Sequence, residues 1–338
     1  MFAKVCGAAT LGVEGIIIST EVDVCLGLPS MEIVGLPDTA VRESKERVRT
    51  AIRNSGIKVH SKKVTINLAP ADLKKDSSGL DLPIAVGLLA AYGIVPVDRL
   101  EKCLFTAELS LEGKCRGIKG ILPIAVQAKA EGFESIFVAE ENSREALLVD
   151  GLQVYSLNNL GELVDFLTGK EKLEPVQPKE EEDDGGGFAD DFADVQGQFQ
   201  AKRALEIAAA GGHNVLMVGV PGAGKTMLAR RMSSILPQMT REEALEVTKI
   251  YSIAGLLKGK GLISHRPFRS PHHTTSMVAM IGGGSIPKPG EVTLAHNGVL
   301  FLDELPEFSK KALEVLREPL EDRVITISRA HGTMTFPS

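Results

Sequence analysis

The chain has 338 residues, of which 43% are hydrophobic and 24% charged, a composition typical of a soluble globular protein with two domains. Its net charge is −6, so no global positive field indicates a nucleic-acid partner, and any such site must be local. Four cysteines without a C-x-x-C pair argue against a disulfide framework or a zinc knuckle, and no apolar run approaches a membrane span, so we expect a cytoplasmic protein.

The region before residue 170 combines strand and helix patterns, which predicts an α/β or α+β domain over residues 1–169. An apolar stripe with Asp38 as the candidate N-cap marks the first helix. The predicted elements, in chain order, are a strand at Met31 to Val34, a helix at Asp38 to Asn54, a strand at Val64 to Leu68, helices at Leu82 to Tyr92 and Ile121 to Glu131, and a strand at Ser135 to Ala139.

A change of composition marks the boundary between two domains. Lys170 to Asp194 contains ten carboxylates, two prolines and three consecutive glycines, with few apolar residues to offset chain entropy. We therefore predict a flexible acidic linker over residues 170–191 and a second domain over residues 192–338. A charged helix is the alternative, which the glycines and prolines disfavour.

The second domain alternates strands and helices, which predicts a parallel sheet with helices on both faces. The predicted elements are a helix at Ala201 to Ala210, a strand at Val215 to Val218, helices at Met227 to Leu236 and Arg241 to Thr248, a strand at Gly298 to Glu304, a helix at Ser309 to Arg317 and a strand at Val324 to Ser328.

The motif G-x-x-x-x-G-K-T lies between the predicted strand and helix at Gly219 to Thr226. In this context it is typical of a phosphate-binding loop, because glycines and a helix N-terminus direct backbone N–H groups at a triphosphate. Lys225 would reach the β- and γ-phosphates, and Thr226 would bind Mg²⁺. The expected nucleotide contacts are Gly219, Pro221, Gly222, Ala223, Gly224, Lys225, Thr226 and Met227.

The apolar strand that ends in Asp303 and Glu304 is the expected partner of this loop. A hydrolytic site needs one carboxylate for the Mg²⁺ shell and a base for the attacking water, and we assign Asp303 and Glu304 to these roles. The two motifs together predict a P-loop ATPase, and the Asp-Glu pair favours the AAA+ branch over small GTPases.

No Asp or Glu occurs between Glu246 and Glu291, although the whole chain is acidic. A basic, glycine-rich segment beside an ATPase core favours contact with a phosphate backbone, and an ordinary solvated loop is the alternative. A zinc site is not favoured, because the adjacent histidines lack a nearby cysteine or a spaced third ligand. The candidate DNA-contacting residues are Lys258, Lys260, Arg266, Arg269, His272 and His273.

Long collinear motifs in both halves resemble the magnesium-chelatase-like AAA+ proteins of the YifB/ComM family. The second half carries Arg266 to Thr274, Ile281 to Gly284 and Pro289 to Glu304, and the first half carries Val34 to Asp38, Ile66 to Lys75 and Asp81 to Ala85. Phe192 to Gln198 resembles the segment that packs against adenine in AAA+ proteins, which favours ATP and adds Val195 to the expected contacts.

The resemblance implies a Lon-protease-type first domain, related to a ribosomal-protein domain, and an AAA+ second domain that works as a ring, with a hexamer expected. It implies a DNA branch-migration helicase that acts in natural transformation. A chelatase-type motor subunit that drives metal insertion, and an ATP-regulated DNA-binding scaffold, remain alternatives. The basic helix residues Arg42, Lys45, Arg47, Arg49 and Arg53 either contact DNA or form a solvated face.

Two departures from the family pattern matter. The nucleophilic serine position of a Lon-type protease falls near Gly79, and the lysine position falls near Pro123 and Ile124, so we expect no protease activity; Ser77 and Ser78 are imperfect candidates. The chain also ends at Ser338, before a sensor residue, an arginine finger or a helical lid can be assigned. We therefore expect a C-terminally truncated AAA+ core that binds ATP–Mg²⁺ weakly and hydrolyses it slowly.

Overall fold

The computed structural model describes residues 1–75, 77–178, 191–257, 261–284, 287–329 and 332–338. The chain forms two compact units. One comprises Met1–Pro178 with Gly255–Gly261, and the other comprises Lys179–Ala254 with Leu262–Ser338. Residues 179–190 of the predicted linker lie outside the described residues, so the linker and the domain boundaries stay predictions.

The first unit alternates strands with helices along the chain. Its elements are β1 (Phe2–Leu11), β2 (Glu14–Cys25), β3 (Ser30–Val34), α1 (Thr39–Asn54), β4 (Lys63–Ala69), α2 (Asp81–Ala91), β5 (Cys103–Thr106), β6 (Glu108–Leu109), β7 (Cys115–Arg116), α3 (Ile121–Ala130), β8 (Ser135–Ala139), α4 (Glu140–Ala146), β9 (Gln153–Leu157) and α5 (Leu160–Leu167).

Seven of these strands form one mixed sheet in the order β3-β4-β2-β1-β5-β8-β9. The long β1 and β2 make an antiparallel pair, and β2 also pairs antiparallel with β4. The four remaining pairings, β3–β4, β1–β5, β5–β8 and β8–β9, are parallel. Alternate side chains of β1 enter two core clusters, Val5 on the side of α2 and Ala8 on the side of α3, as the period of a strand requires.

The helix α2 forms the centre of the first unit's core. All eleven residues of α2 are buried, and the helix packs against β1, β2 and α1. An aromatic stack reinforces the sheet beside it, since Phe137 stacks on Phe105 at 4.8 Å and on Tyr155 at 4.7 Å between ring centroids, in register across β5, β8 and β9.

The second unit consists of short elements. They are α6 (Phe199–Gly211), α7 (Lys225–Arg230), α8 (Met232–Ile235), α9 (Arg241–Ala254), β10 (Phe268–Arg269), α10 (Met277–Ile281), β11 (Gly282–Gly283), β12 (Lys288–Pro289), α11 (Glu291–Leu294), β13 (Val299–Leu300), α12 (Lys310–Glu314), α13 (Arg317–Asp322), β14 (Val324–Arg329) and β15 (Gly332–Pro337). In this unit β10 pairs parallel with β13, while β11–β12 and β14–β15 are antiparallel pairs.

The predicted α/β class is confirmed, and the predicted elements of the first domain coincide with β3, α1, β4, α2, α3 and β8. Asp38 caps α1 as predicted, because its side chain accepts a hydrogen bond from the Val41 N–H at 3.0 Å. The long strands β1 and β2 were not predicted from the sequence; in β1 the apolar pattern is interrupted by lysine, glycine and threonine.

Four predicted elements of the second domain are wrong in detail. Val215 to Val218 is not a strand, because no neighbouring segment among the described residues offers its backbone a hydrogen-bonding partner. The strand predicted for Gly298 to Glu304 shortens to β13, whose one partner β10 has two residues. The helix predicted from Met227 to Leu236 is interrupted at Arg231, and the one predicted for Ser309 to Arg317 divides into α12 and α13.

Candidate functional site

The loop at Gly219 to Thr226 has the backbone geometry that its glycines allow. Gly222 has φ +78° and Gly224 has φ +81°, a left-handed conformation that strongly favours glycine. Gly224 also caps α7, and its carbonyl accepts the first helical hydrogen bond from the Leu228 N–H at 2.9 Å. The chain therefore turns into a helix N-terminus directly after the loop, which is where a phosphate group is attracted.

Lys225 lies over the loop that precedes it. Its ammonium group donates hydrogen bonds to the carbonyl oxygens of Gly219 at 2.9 Å and Val220 at 3.1 Å. These carbonyls keep the charged group at the mouth of the loop, and the residue is only partly buried. An ammonium group donates three hydrogen bonds, so a phosphate oxygen would accept the third or replace one of the two carbonyls.

Thr226 and Asp303 are in direct contact. The Thr226 hydroxyl donates a hydrogen bond of 2.8 Å to Oδ2 of Asp303, which joins the start of α7 to the segment after β13. The pairing of β13 with β10 continues one residue further toward Asp303, since the Phe301 N–H donates a hydrogen bond of 2.8 Å to the Arg269 carbonyl. This pairing fixes the backbone two residues before Asp303. The two predicted magnesium ligands are therefore adjacent in the structure.

Glu304 has an exposed side chain, with a relative accessibility of 69%. Its backbone adopts the left-handed region at φ +54°, which is uncommon for a residue with a Cβ, and its N–H donates to Oδ1 of Asp303 at 3.0 Å. Because of this turn, the two carboxylates do not follow the alternating side-chain directions of a strand. Asp303 contacts Thr226, and Glu304 is open to solvent.

A histidine pair lies beside Glu304. The rings of His272 and His273 are 4.0 Å apart between centroids, and Nδ1 of His273 is 3.9 Å from Oε2 of Glu304. The rings of His273 and Phe308 are nearly perpendicular, with 6.5 Å between their centroids. Because β10 and β13 run parallel, the segments that follow them reach the same edge, which explains why these sequence-predicted residues meet.

The residues present fit a Mg²⁺–triphosphate group. Mg²⁺ prefers hard oxygen ligands such as a hydroxyl and a carboxylate, and Thr226 and Asp303 supply one of each within hydrogen-bonding distance. Lys225 and the N-terminus of α7 supply positive charge beside them.

Val195, an expected contact of the adenine base, is buried and not on an open surface. Its side chain is 2% exposed and packs in a small core with Phe192, Leu205 and Leu228. Met217 also contacts this core, whereas Leu216 and Val218 next to it are exposed. The remaining expected contacts, Pro221 and Met227, are exposed, and Ala223 is partly buried.

Two of the candidate DNA-contacting arginines are engaged inside the second unit. Arg266 is 15% exposed, donates to Oε2 of Glu243 at 3.0 Å and to the Asn297 carbonyl at 2.8 Å, and so connects α9 to the segment before β13. Arg269 makes a two-pronged ion pair with Glu291, with both distances 2.7 Å, and this hydrogen bonding raises the pKa of its guanidinium. Glu243 and Glu291, which both lie outside the acid-free interval, thus neutralise part of its charge.

Lys258 and Lys260, the remaining basic candidates, lie outside the described residues. Within the part of the chain that the structure describes, no group of three or more His, Cys, Asp or Glu side chains is placed to hold a metal ion. The helices that are described include none long and apolar enough to cross a membrane.

Gln198 is a loop contact that the sequence alone did not indicate. Its side-chain amide donates to the Ala223 carbonyl at 2.8 Å, and its backbone is left-handed at φ +53° just before α6. The adjacent glycine at position 197 was a signal of a turn, but only the fold shows that this turn contacts the loop at Gly219 to Thr226.

The first unit contains the segment compared with a protease nucleophile. Gly79 lies in a tight pocket, since a Cβ at this position would be 2.8 Å from Oγ1 of Thr106 and 2.7 Å from Ile118. The Ser77 hydroxyl accepts a hydrogen bond from the Gly79 N–H at 3.2 Å and thereby caps a short 3₁₀ turn. Ser77 thus has a structural hydrogen bond, and the Gly79 position has no nucleophile.

Comparison with known proteins matches both parts of the chain to magnesium chelatase. A family model described as magnesium chelatase, subunit ChlI, matches residues 191–338, and one described as subunit ChlI of Mg-chelatase matches residues 20–142. The second match means that similarity to chelatase is not restricted to the ATPase half.

Similar proteins include an uncharacterized protein YifB of Escherichia coli, 47% identical over 330 residues, and the competence protein ComM of Haemophilus influenzae, 45% identical over 340 residues. These alignments cover 98% and 99% of this chain but 65% and 66% of the relatives. The chain therefore spans about two thirds of their length. Lon protease 2 of Bacillus subtilis is 26% identical over 146 residues, which are 41% of this chain and 26% of that protein.

Proposed function

Because this chain belongs to the YifB/ComM family of magnesium-chelatase-like AAA+ proteins, we propose that it is part of an ATP-dependent motor that remodels DNA. The motor would act as a branch-migration helicase in recombination or natural transformation. The name of the ComM relative, a competence protein, supports a role connected with DNA uptake.

The contact between Thr226 and Asp303 carries the ATP-dependent part of this proposal. A P-loop hydroxyl and a strand-end carboxylate 2.8 Å apart are the two protein ligands that a nucleotide-bound Mg²⁺ needs. When bound, the metal would neutralise charge on the phosphates. Lys225 would exchange its bonds to the loop carbonyls for phosphate oxygens, and Glu304 would hold and polarise the attacking water.

For the DNA contacts, we propose that the basic segment between α9 and β10 contributes Lys258 and Lys260. Arg266 and Arg269 would mainly position this segment, because both are engaged in ion pairs with glutamates. His272 and His273 lie at the edge that carries Glu304, so contact with a strand there could be sensed at the hydrolytic residue. Assembly as a ring, with a hexamer proposed, would place such segments around one DNA molecule.

A chelatase-type motor subunit is the second candidate, favoured by the two family descriptions that match residues 20–142 and 191–338. In that case the same ATPase would drive metal insertion into a tetrapyrrole by a partner. An ATP-regulated DNA-binding scaffold, in which the nucleotide only switches assembly, is a further alternative.

We propose that the first unit is a binding or assembly module without protease activity, although the chain is similar to Lon protease 2. The crowded position of Gly79 and the capping role of Ser77 support this assignment.

A branch-migration assay on synthetic Holliday junctions, run with the complete protein, separates these functions. ATP-dependent strand movement that Lys225→Ala abolishes supports the DNA motor. If neither strand movement nor salt-sensitive DNA binding occurs, the DNA motor is wrong and the chelatase candidate gains support. If Glu304→Gln leaves the cellular function intact, the scaffold is favoured.

A further inference from the structure

The exposed face of α1 carries a stripe of positive charge that the ATPase does not use. Arg42, Lys45, Arg49 and Arg53 recur at intervals of three or four residues and are all exposed. At 100° per residue, they fall within a narrow arc of the helix, and successive members are about 5 Å apart along its axis. The buried side chains of α1, which include Val48 and Ala51, lie on a different face.

This basic stripe, the four residues just named, is little neutralised. Between Arg42 and Lys63 there are eight Lys or Arg residues but only two acids, Glu43 and Glu46. Glu46 lies close to the stripe, and Glu43 is 3.9 Å from Arg47. Among the described residues, no stripe residue makes an ion pair.

Arg47 differs from the stripe residues of the same helix, because it has an ion-pair partner within the fold. It points to the other side of α1, where it forms a two-pronged ion pair with the buried Asp81 at 2.8 and 3.0 Å. Of the five basic residues of the helix, Arg47 is thus explained by the fold, and the four stripe residues are not.

The loop after α1 extends the positive surface. Tyr92, at the end of α2, donates a hydrogen bond of 2.6 Å to the His60 carbonyl, and the Lys62 ammonium lies 5.7 Å from the centre of its ring. The charge of Arg49 also acts on the Tyr92 hydroxyl. The loop that carries Lys58 and Lys62 is therefore held beside the second half of α1.

We propose that this face of the first unit, formed by the basic stripe with Lys58 and Lys62, binds the phosphate backbone of a nucleic acid. A straight row of four cations over about 16 Å matches a backbone that carries a charge every few ångströms, and arginine is well suited to phosphate oxygens. The inference rests on the proposed action on DNA and adds a contact surface outside the ATPase unit, which would retain the DNA while the motor acts.

The test compares two variants of the whole chain that lose the same charge. In the first, Arg42, Lys45, Arg49 and Arg53 are each changed to Gln; in the second, the exposed Lys4, Arg99, Lys114 and Arg144 are changed to Gln. Binding of a fluorescently labelled DNA duplex is measured by anisotropy without nucleotide, at about 50 to 200 mM salt. Circular dichroism checks that both variants are folded.

We expect the stripe variant to bind DNA at least about tenfold more weakly. The negative slope of the logarithm of its association constant against log salt should become shallower by about 3. The control variant should change much less. Equal DNA affinity of the stripe variant and the unmodified chain would overturn the proposed DNA-binding role of the stripe. Equal losses of affinity in the two variants would do the same, as would a lack of DNA binding by the unmodified chain. Stripe-dependent binding to phosphatidylserine vesicles without DNA binding would also overturn it. Binding of a fluorescent ATP analogue by the same preparations tests the proposed ATP site separately, because the stripe variant should retain it.

Discussion

The hydroxyl of Thr226 and the carboxylate of Asp303 form a 2.8 Å hydrogen bond, although 77 positions separate them in the chain. Thr226 is set by the first turn of α7, and Asp303 by the pairing of β13 with β10. Each of the two proposed Mg²⁺ ligands thus belongs to a separate local structure, and their contact depends on how the second unit brings the two segments together.

We predict that Thr226→Val and Asp303→Asn each weaken Mg²⁺-dependent binding of an ATP analogue by at least about tenfold, since each removes one oxygen ligand of a hard cation. The measurement is fluorescence titration with and without Mg²⁺. Asp322→Asn, which changes an exposed acid of the same unit, serves as the control. Equal affinity of the three variants in Mg²⁺ would show that the contact is not a metal site.

Glu304→Gln should retain nucleotide binding but lower the rate of ATP hydrolysis by about 100-fold or more, because an amide cannot accept the proton of the attacking water. The comparison uses the complete protein and measures phosphate release alongside analogue binding. A variant that hydrolyses ATP at the original rate would remove Glu304 from the role of base.

The ion pair between Arg269 and Glu291 predicts a structural effect for Arg269→Gln. The loss of a partly buried, two-pronged pair should cost about 2 kcal/mol or more of unfolding free energy, because Glu291 keeps an uncompensated charge. Lys258→Gln with Lys260→Gln should leave the melting temperature unchanged and lower DNA affinity instead. Thermal melts and DNA titrations on both variants check this, and an Arg269→Gln protein of normal stability with weakened DNA binding would contradict it.

Asp81→Asn should destabilise the first unit by about 3 kcal/mol, since it leaves the guanidinium of Arg47 without its partner at a fully buried carboxyl position. Glu134→Gln breaks a pair with Lys102 in which both side chains are about two-thirds exposed, and it should lower the unfolding free energy much less, because solvent screens an exposed pair. Urea unfolding followed by circular dichroism measures both. Equal effects of the two substitutions would contradict the assigned importance of the buried pair.

The cysteines should react with a thiol reagent in a fixed order. Burial raises the pKa of the Cys103 thiol to about 11 and that of Cys115 to about 12, so both are protonated near neutral pH and should react slowly, faster as the pH rises. Cys25 is exposed and should react first. Mass spectrometry of labelled peptides over time checks the order, which rapid labelling of Cys115 in the folded protein would contradict.

Local patterns were sufficient to predict much of the first unit. Asp38 and the apolar stripe after it predicted α1, and the apolar run from Leu82 predicted the central helix, because capping and burial act over a few residues. The prediction of a strand at Val215 to Val218 was wrong because a strand depends on a distant segment of the chain. A strand requires a neighbour, and the apolar character of Val215 to Val218 does not specify one.

The sequence by itself determined the glycine turns of the loop at Gly219 to Thr226, since these residues are close together in the chain and their spacing reflects backbone geometry. The motifs of both halves also predicted the family, and relatives 47% and 45% identical to this chain support it. Only the tertiary structure decided which charges are available. It pairs Arg47, Arg266 and Arg269 with acids that are distant in sequence, whereas the stripe on α1 makes no ion pair with any residue that the structure describes. An arginine has the same formal charge in both settings, and whether a carboxylate lies within reach depends on the fold.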